Sequence, residues 1–178
     1  GRVAAYVNSV RAAVGEANTI LVDAGDEMQG SLLSNLQQGV PTIATYNEMD
    51  YAVATFGNHE FDWGKTVLAD RVGEANYPYV SANIVVNDTG NCSTAGWTRA
   101  TFVDAPYEIK TIGTAPNAAK VAFIGVTSQE TPVITIAAAT EGLCFKDPAE
   151  SVLHYYDAMK ADGADVIVVL SHLGYADG

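Results

Sequence analysis

An α/β fold with mixed sheets flanked by helices is what this sequence predicts, and three observations carry the prediction. Short, nearly all-apolar runs recur at residues 19–24, 51–56, 120–126 and 165–170, as strands do when both faces of a sheet are covered. Between several of them lie stretches whose apolar residues follow helical spacing. The chain has 178 residues and is 48% hydrophobic, enough for one substantial core, and one domain is the default.

Taken in order, the elements begin with a helix. Val3, Val7, Val10 and Val14 recur at intervals of 4, 3 and 4, which is one apolar stripe. Gly1 and Arg2 supply no Ser, Thr, Asp or Asn cap, so residue 1 is expected to be a cut inside a longer protein, and the lack of a signal peptide carries no weight. A buried strand over 19–24 runs into Gly25-Asp26 and a polar, Gly-containing loop. A short helix follows with Pro41 near its first turn, then a strand over 51–56 and a helix over about 65–75. Residues 79–86 read as a strand, 87–101 as an excursion rich in Asn, Thr, Gly and Ser, and 102–110 and 120–126 as two further strands. Asp147-Pro148-Ala149-Glu150 is a helix start with cap, first-position proline and Glu three residues on. That helix is expected to carry Val152, Tyr156 and Met159 on one face and to stop near Gly163. The strand over 165–170 then leads into Ser171-His172.

Composition narrows the function. Nine basic against 21 acidic residues leave a formal charge of −12, with no basic stripe for a nucleic-acid polymer. No apolar run approaches the ~20 residues of a membrane span. Cys92 and Cys144 lack metal-ligand spacing, and either two thiols or one bridge fits their loop-like surroundings. The tripeptides starting at Asn87 and Asn91 match the glycosylation pattern, which marks surface loops.

The residues with chemical potential sit at strand ends. Gly57-Asn58-His59-Glu60-Phe61-Asp62-Trp63-Gly64 puts an amide, an imidazole and two carboxylates on one turn, with Asp62 placed to hold the His59 ring. Asp26, then Asn58 with His59, then His172 each follow an apolar strand, where sites of open α/β sheets gather. Carboxylate, amide oxygen and imidazole form a mixed set suited to Mn, Zn, Fe or Mg. Taken singly, Asn58 reads equally as a left-handed turn residue and Asp62 as a helix cap. Glu60 is left between a supporting and a solvated role. Asp23 is expected to support the strand end, Phe61 and Trp63 to be core, and His154 to pack or lie at the surface.

Asp23-Ala24-Gly25-Asp26, the 57–64 block and Leu170-Ser171-His172-Leu173-Gly174-Tyr175 together resemble the 5′-nucleotidase branch of the calcineurin-like metallophosphoesterases. That branch includes UDP-sugar hydrolases and 2′,3′-cyclic-nucleotide phosphodiesterases. Ser81-Ala82-Asn83-Ile84 and the stretch 125–132 resemble it too. The resemblance implies that family's sandwich fold, incomplete at both ends, and metal-dependent hydrolysis of nucleotide phosphoesters by an activated hydroxide. It implies two divalent metal ions in the intact protein, with Asp26 bridging them ~3.5–4 Å apart. Asn58 would serve one metal and the substrate phosphate, and His172 would bind that same metal. His59 would act on the leaving group with Asp62 orienting it. A secreted, cell-surface or periplasmic setting and a small-molecule nucleotide substrate follow from the same resemblance.

Against the family pattern, an Asp-x-His pair before residue 1, a second His motif after 178 and a carboxy-terminal nucleotide-binding domain are all missing. Residues 1–178 are therefore expected to be part of a catalytic domain, binding divalent metal weakly and hydrolysing phosphoesters poorly in isolation. The alternatives are a cyclic-nucleotide phosphodiesterase, a UDP-sugar hydrolase, or a noncatalytic binding module.

Overall fold

Two sheets stack face to face with helices outside them in the computed structural model, which describes residues 1–174. In the first sheet β1 (Leu21–Val22) runs parallel to β2 (Tyr51–Val53), with Leu21 opposite Tyr51 and Val22 opposite Val53. Single parallel bridges at Ala54–Tyr79 and Val80–Ala105 extend that sheet sideways. In the second sheet β4 (Tyr107–Ile112) is antiparallel to β5 (Ala119–Thr127), and β5 is parallel to β7 (Val166–His172). A small antiparallel pair, β3 (Ile84–Val86) with β6 (Leu143–Phe145), closes one side.

The period-2 alternation of β5 shows how one strand serves two cores. Val121 and Phe123 face the first sheet and pack with Val53, Val80 and Leu170. Ala122, Ile124 and Val126 face the other way, onto α7 (Pro148–Ala161), where Met159 is fully buried. On the outer face of the first sheet, α3 (Val40–Glu48) and α4 (Gly64–Glu74) supply Ile43 and Leu68. These pack with Met28, Phe56, Phe61 and Tyr79 in the largest cluster. Phe61 meets Phe102 and Phe145 edge-on at 5.9 and 5.6 Å, the arrangement aromatic quadrupoles favour.

Local chemistry explains the helix starts. Asp147 accepts the Glu150 amide at 2.8 Å, and Pro148 occupies the first turn, as expected. The first helix, α1 (Arg2–Val14), forms as its stripe predicts, yet Val7 is its one buried residue while Val3 and Val14 are exposed. In the loop before α3 a further short helix, α2 (Leu32–Leu36), is capped by Ser31 accepting from Ser34.

Four expectations need correction. The strand expected over 79–86 breaks at 81–83, because its backbone changes partner at each residue there: the Ser81 amide donates to the Ala105 carbonyl, the Ala82 amide to the Gly125 carbonyl, and the Asn83 carbonyl accepts the Lys146 amide. Asn83 bonds both the amide and the carbonyl of Thr127 and also the Lys146 carbonyl. The strand expected from 102 starts only at Tyr107. On α7, Tyr155 packs inward beside Val152, whereas Tyr156 is exposed. Nor is every apolar strand covered on both faces, since Val166 and Val169 of β7 are exposed. No helix among the described residues is long and apolar enough to cross a membrane.

Of the two readings left open for the cysteines, the structure takes the bridge: Cys92 and Cys144 are joined across 52 residues. It ties the 87–101 excursion to β6 beside Val85, Ala95 and Trp97. His154 stacks on Trp97 at 3.9 Å, which gives it a packing role. Closing a loop of that length restricts the unfolded chain by about 4 kcal/mol in the chain-entropy estimate. Cys92→Ser is therefore expected to lower the unfolding free energy by roughly 2–4 kcal/mol, read from urea denaturation with the wild type alongside.

Candidate active site

The site is built where three strands end. After β1 the chain turns through Gly25 and Asp26, and Asp26 takes the left-handed conformation with φ 68°, which Asp tolerates better than most residues. After β2 it turns through Gly57 into a short 3₁₀ turn, His59–Phe61. The two turns lie against each other so closely that no side chain fits between them. A Cβ on Gly25 would stand 2.3 Å from the Gly57 nitrogen, and one on Gly57 would stand 2.2 Å from Asp26 Oδ1. That contact, across more than thirty residues of sequence, places Asn58 and His59 beside the Asp26 carboxylate.

Asp26 is engaged on both oxygens. Oδ1 accepts the His59 amide at 2.9 Å, and Oδ2 lies 3.1 Å from His172 Nε2 at the end of β7. Burial pushes the Asp26 carboxyl up, but the hydrogen bonds from His172 and the His59 amide outweigh it and leave it below its usual value. His172 Nδ1 lies 3.0 Å from the Ala24 carbonyl. Since a carbonyl only accepts, Nδ1 carries the proton and Nε2 points at Asp26. The hydrogen bond with Asp26, ahead of the other causes, raises the His172 pKa. Nε2 is therefore the atom where a second proton and a cation compete.

His59 and Asp62 meet as their spacing predicts, Nδ1 to Oδ2 at 2.6 Å. The other Asp62 oxygen accepts the Thr135 hydroxyl at 3.0 Å, so the carboxylate is held from both sides. The Asp62 hydrogen bond raises the His59 pKa above its ordinary value, against a smaller opposing effect of burial. The His59 side chain is 43% exposed, leaving Nε2 open to a ligand. Asn58 is half-buried, with its side chain in no hydrogen bond among the described residues.

Asp26, Asn58, His59, Asp62 and His172 are thus brought to one end of the sandwich. As a test of fit to a metal, the donor set is one carboxylate, one imidazole with its proton already committed elsewhere, and one free amide. This suits a hard or borderline divalent cation. No group of three His, Cys, Asp or Glu side chains that could hold a metal exists among the described residues; the third donor here is an amide. Asp23 supports the strand end as expected, accepting the Gly25 amide at 2.7 Å and the Tyr46 hydroxyl at 2.8 Å. Of the motif 170–175, Tyr175 lies outside the described residues.

Three further residues complete the site; the sequence left Glu60 between a supporting and a solvated role and did not point to the other two. Glu60, 1% exposed, accepts the amides of Asp26, Gly57 and Met28 at 2.8, 2.6 and 3.2 Å. Glu27 is half-buried beside it, with its carboxyl turned inward and held by the Tyr79 hydroxyl. Burial first, and the Glu60 charge second, push its carboxyl well above the usual range. Thr135 is the third. The only signal in the sequence was the pair Gly25 and Gly57, since two close backbone turns leave amides that need an acceptor.

Comparison with known proteins finds phosphoesterases. Over 189 residues, 99% of this chain, it is 32% identical to a 2′,3′-cyclic-nucleotide 2′-phosphodiesterase/3′-nucleotidase from Haemophilus influenzae. A snake venom 5′-nucleotidase from Crotalus adamanteus is 31% identical over 161 residues, 90% of this chain. The chain spans 27% and 25% of the length of these two relatives. Among solved structures, a calcineurin-like phosphoesterase from Bacillus subtilis superposes over 99% of this chain and 54% of its own, with a TM-score of 0.82 and 27% identity. No family model matches the sequence.

Proposed function

We propose that this chain, which belongs to the 5′-nucleotidase branch of the calcineurin-like phosphoesterases, holds part of the centre at which the whole protein hydrolyses nucleotide phosphoesters. The carrying observation is the meeting of Asp26 with His172 Nε2 at 3.1 Å, with the His59–Asp62 pair hydrogen-bonded beside it. A noncatalytic module has no need of either arrangement, and both are intact.

Asp26, His172 Nε2 and the Asn58 oxygen would hold divalent metal. Bound there, it would polarise the phosphoryl oxygens and lower the pKa of water. The remaining chemistry is assigned to this chain's own side chains. The Asn58 NH2 donates to a phosphate oxygen and orients the ester. His59, its Nδ1 committed to Asp62, presents a protonated Nε2 to the leaving oxygen and delivers its proton as the ester bond breaks. Asp62 keeps the ring in that orientation and stabilises its charged form. Thr135 holds Asp62 in turn.

For a 5′-monophosphate the leaving oxygen is the ribose 5′ oxygen, which is the reading we put first. A 2′,3′-cyclic ester is the second, because the Haemophilus influenzae relative is named for that activity. The same proton donor serves both. Recognition of the base is assigned to a domain outside residues 1–178. The Cys92–Cys144 bridge and the venom relative favour an extracellular or cell-surface setting, where such bridges persist.

Phosphate release from a nucleoside monophosphate, followed across pH in the full-length protein and in Asp62→Asn, tests the reading. His59 must be protonated to act, so activity falls as pH rises through its pKa. Asp62 raises that pKa, and removing the carboxylate lets it fall. The alkaline limb of the profile is therefore expected to move to lower pH in Asp62→Asn, with a lower maximum. Absence of phosphate release, or a limb that stays in place, contradicts it.

A further inference from the structure

We propose that Glu60 is a positioning residue that locks the Asp26 turn to the Asn58–His59 turn before any metal arrives. The inference rests on the reading above, in which Asp26 and Asn58 are metal ligands, and adds a residue that touches neither metal nor substrate.

The geometry is specific. Glu60 Oε2 accepts two amides at once, Asp26 from the turn after β1 and Gly57 from the turn after β2. Its Oε1 accepts Met28 on the far side of Asp26. The carboxylate therefore brackets Asp26 from both sides along the chain. It binds the nitrogen of the residue whose φ is 68° and whose carboxylate reaches His59 and His172. A left-handed non-glycine residue persists only where its surroundings over-determine it, and Glu60 supplies three of those determinants. The Gly25–Gly57 contact brings the turns together sterically. It offers no acceptor for the three amides, and buried amides without one are costly.

No isosteric residue can replace this acceptor set. Gln keeps the shape but presents an NH2 on one side. Either the Met28 amide or the Asp26–Gly57 pair then faces a donor instead of an acceptor. The turns stay in contact through the two glycines, but the Asp26 conformation is no longer held. Residues that hold a metal ligand from behind typically alter metal affinity or activity 10–100-fold when replaced, as an order of magnitude.

The test uses the full-length protein and Glu60→Gln, and reads two quantities. Amide hydrogen exchange of the metal-free proteins is expected to be faster by about tenfold or more in the variant at Asp26, Met28 and Gly57, with the β5 amides unchanged. Mn2+ affinity by calorimetry is expected to fall roughly 10–100-fold. Unchanged exchange at those amides overturns the clamp. Faster exchange with unchanged Mn2+ affinity overturns the positioning role and leaves Glu60 a purely structural residue. If the unaltered protein binds no Mn2+, the functional reading fails, and that is told apart from failure of the clamp because exchange is read without metal. Should Glu60→Gln not fold, Glu60→Asp withdraws both oxygens by one methylene and is judged by the same criteria.

Discussion

Asp26→Asn in the full-length protein is expected to lose most of its bound divalent metal, and phosphate release is expected to fall on the order of 10³-fold. Asparagine isolates the charge, because it fits the space of aspartate and tolerates the left-handed conformation that Asp26 adopts. Its side-chain oxygen can still accept the His59 amide, so the 57–64 turn stays where it is. What disappears is the negative oxygen facing His172 Nε2 at 3.1 Å. With it goes the only carboxylate in this donor set able to hold a cation between itself and an imidazole. Metal content by elemental analysis and initial rates of phosphate release measure the two effects.

His59→Ala is expected to behave in the opposite way toward metal. Its contact with Asp26 is made by the backbone amide, which alanine keeps, so the Asp26 carboxylate stays in place. The side chain is bonded to Asp62 and not to Asp26. Removing it takes away the proton donor and nothing that holds a cation. The kcat is expected to drop roughly 10²–10⁴-fold, the usual range for losing a general acid, with metal content near that of the wild type. A variant that loses its metal would show His59 to be a ligand.

What the sequence makes legible here is whatever its local neighbours decide. The start of α7 was readable because Asp147, Pro148 and Glu150 lie within one helical turn and their chemistry is complete there. Asp26, Asn58, His59, Asp62 and His172 were readable as polar residues at the ends of apolar strands, where a loop chosen only for turning would have no use for them. The break in the strand at 81–83 was not readable, since it depends on the backbone there pairing in turn with Ala105, Gly125 and Lys146, all distant in sequence. Tyr155 and Tyr156 sit side by side, and both fall near the inward stripe of α7. Which of them packs is settled by Tyr107 on another strand. Glu60 is the instructive undecided case. Its sequence neighbours are the same whether it faces water or the interior, and only the approach of the 25–28 turn makes it an acceptor for three amides.

The division of labour between Asp26 and the 57–64 turn is tested most directly by metal content and nucleotide hydrolysis measured on the same preparations of Asp26→Asn and His59→Ala. His59→Ala is expected to retain metal and lose turnover, while Asp26→Asn loses both. Equal metal loss in the two variants, or full turnover in either, would contradict it.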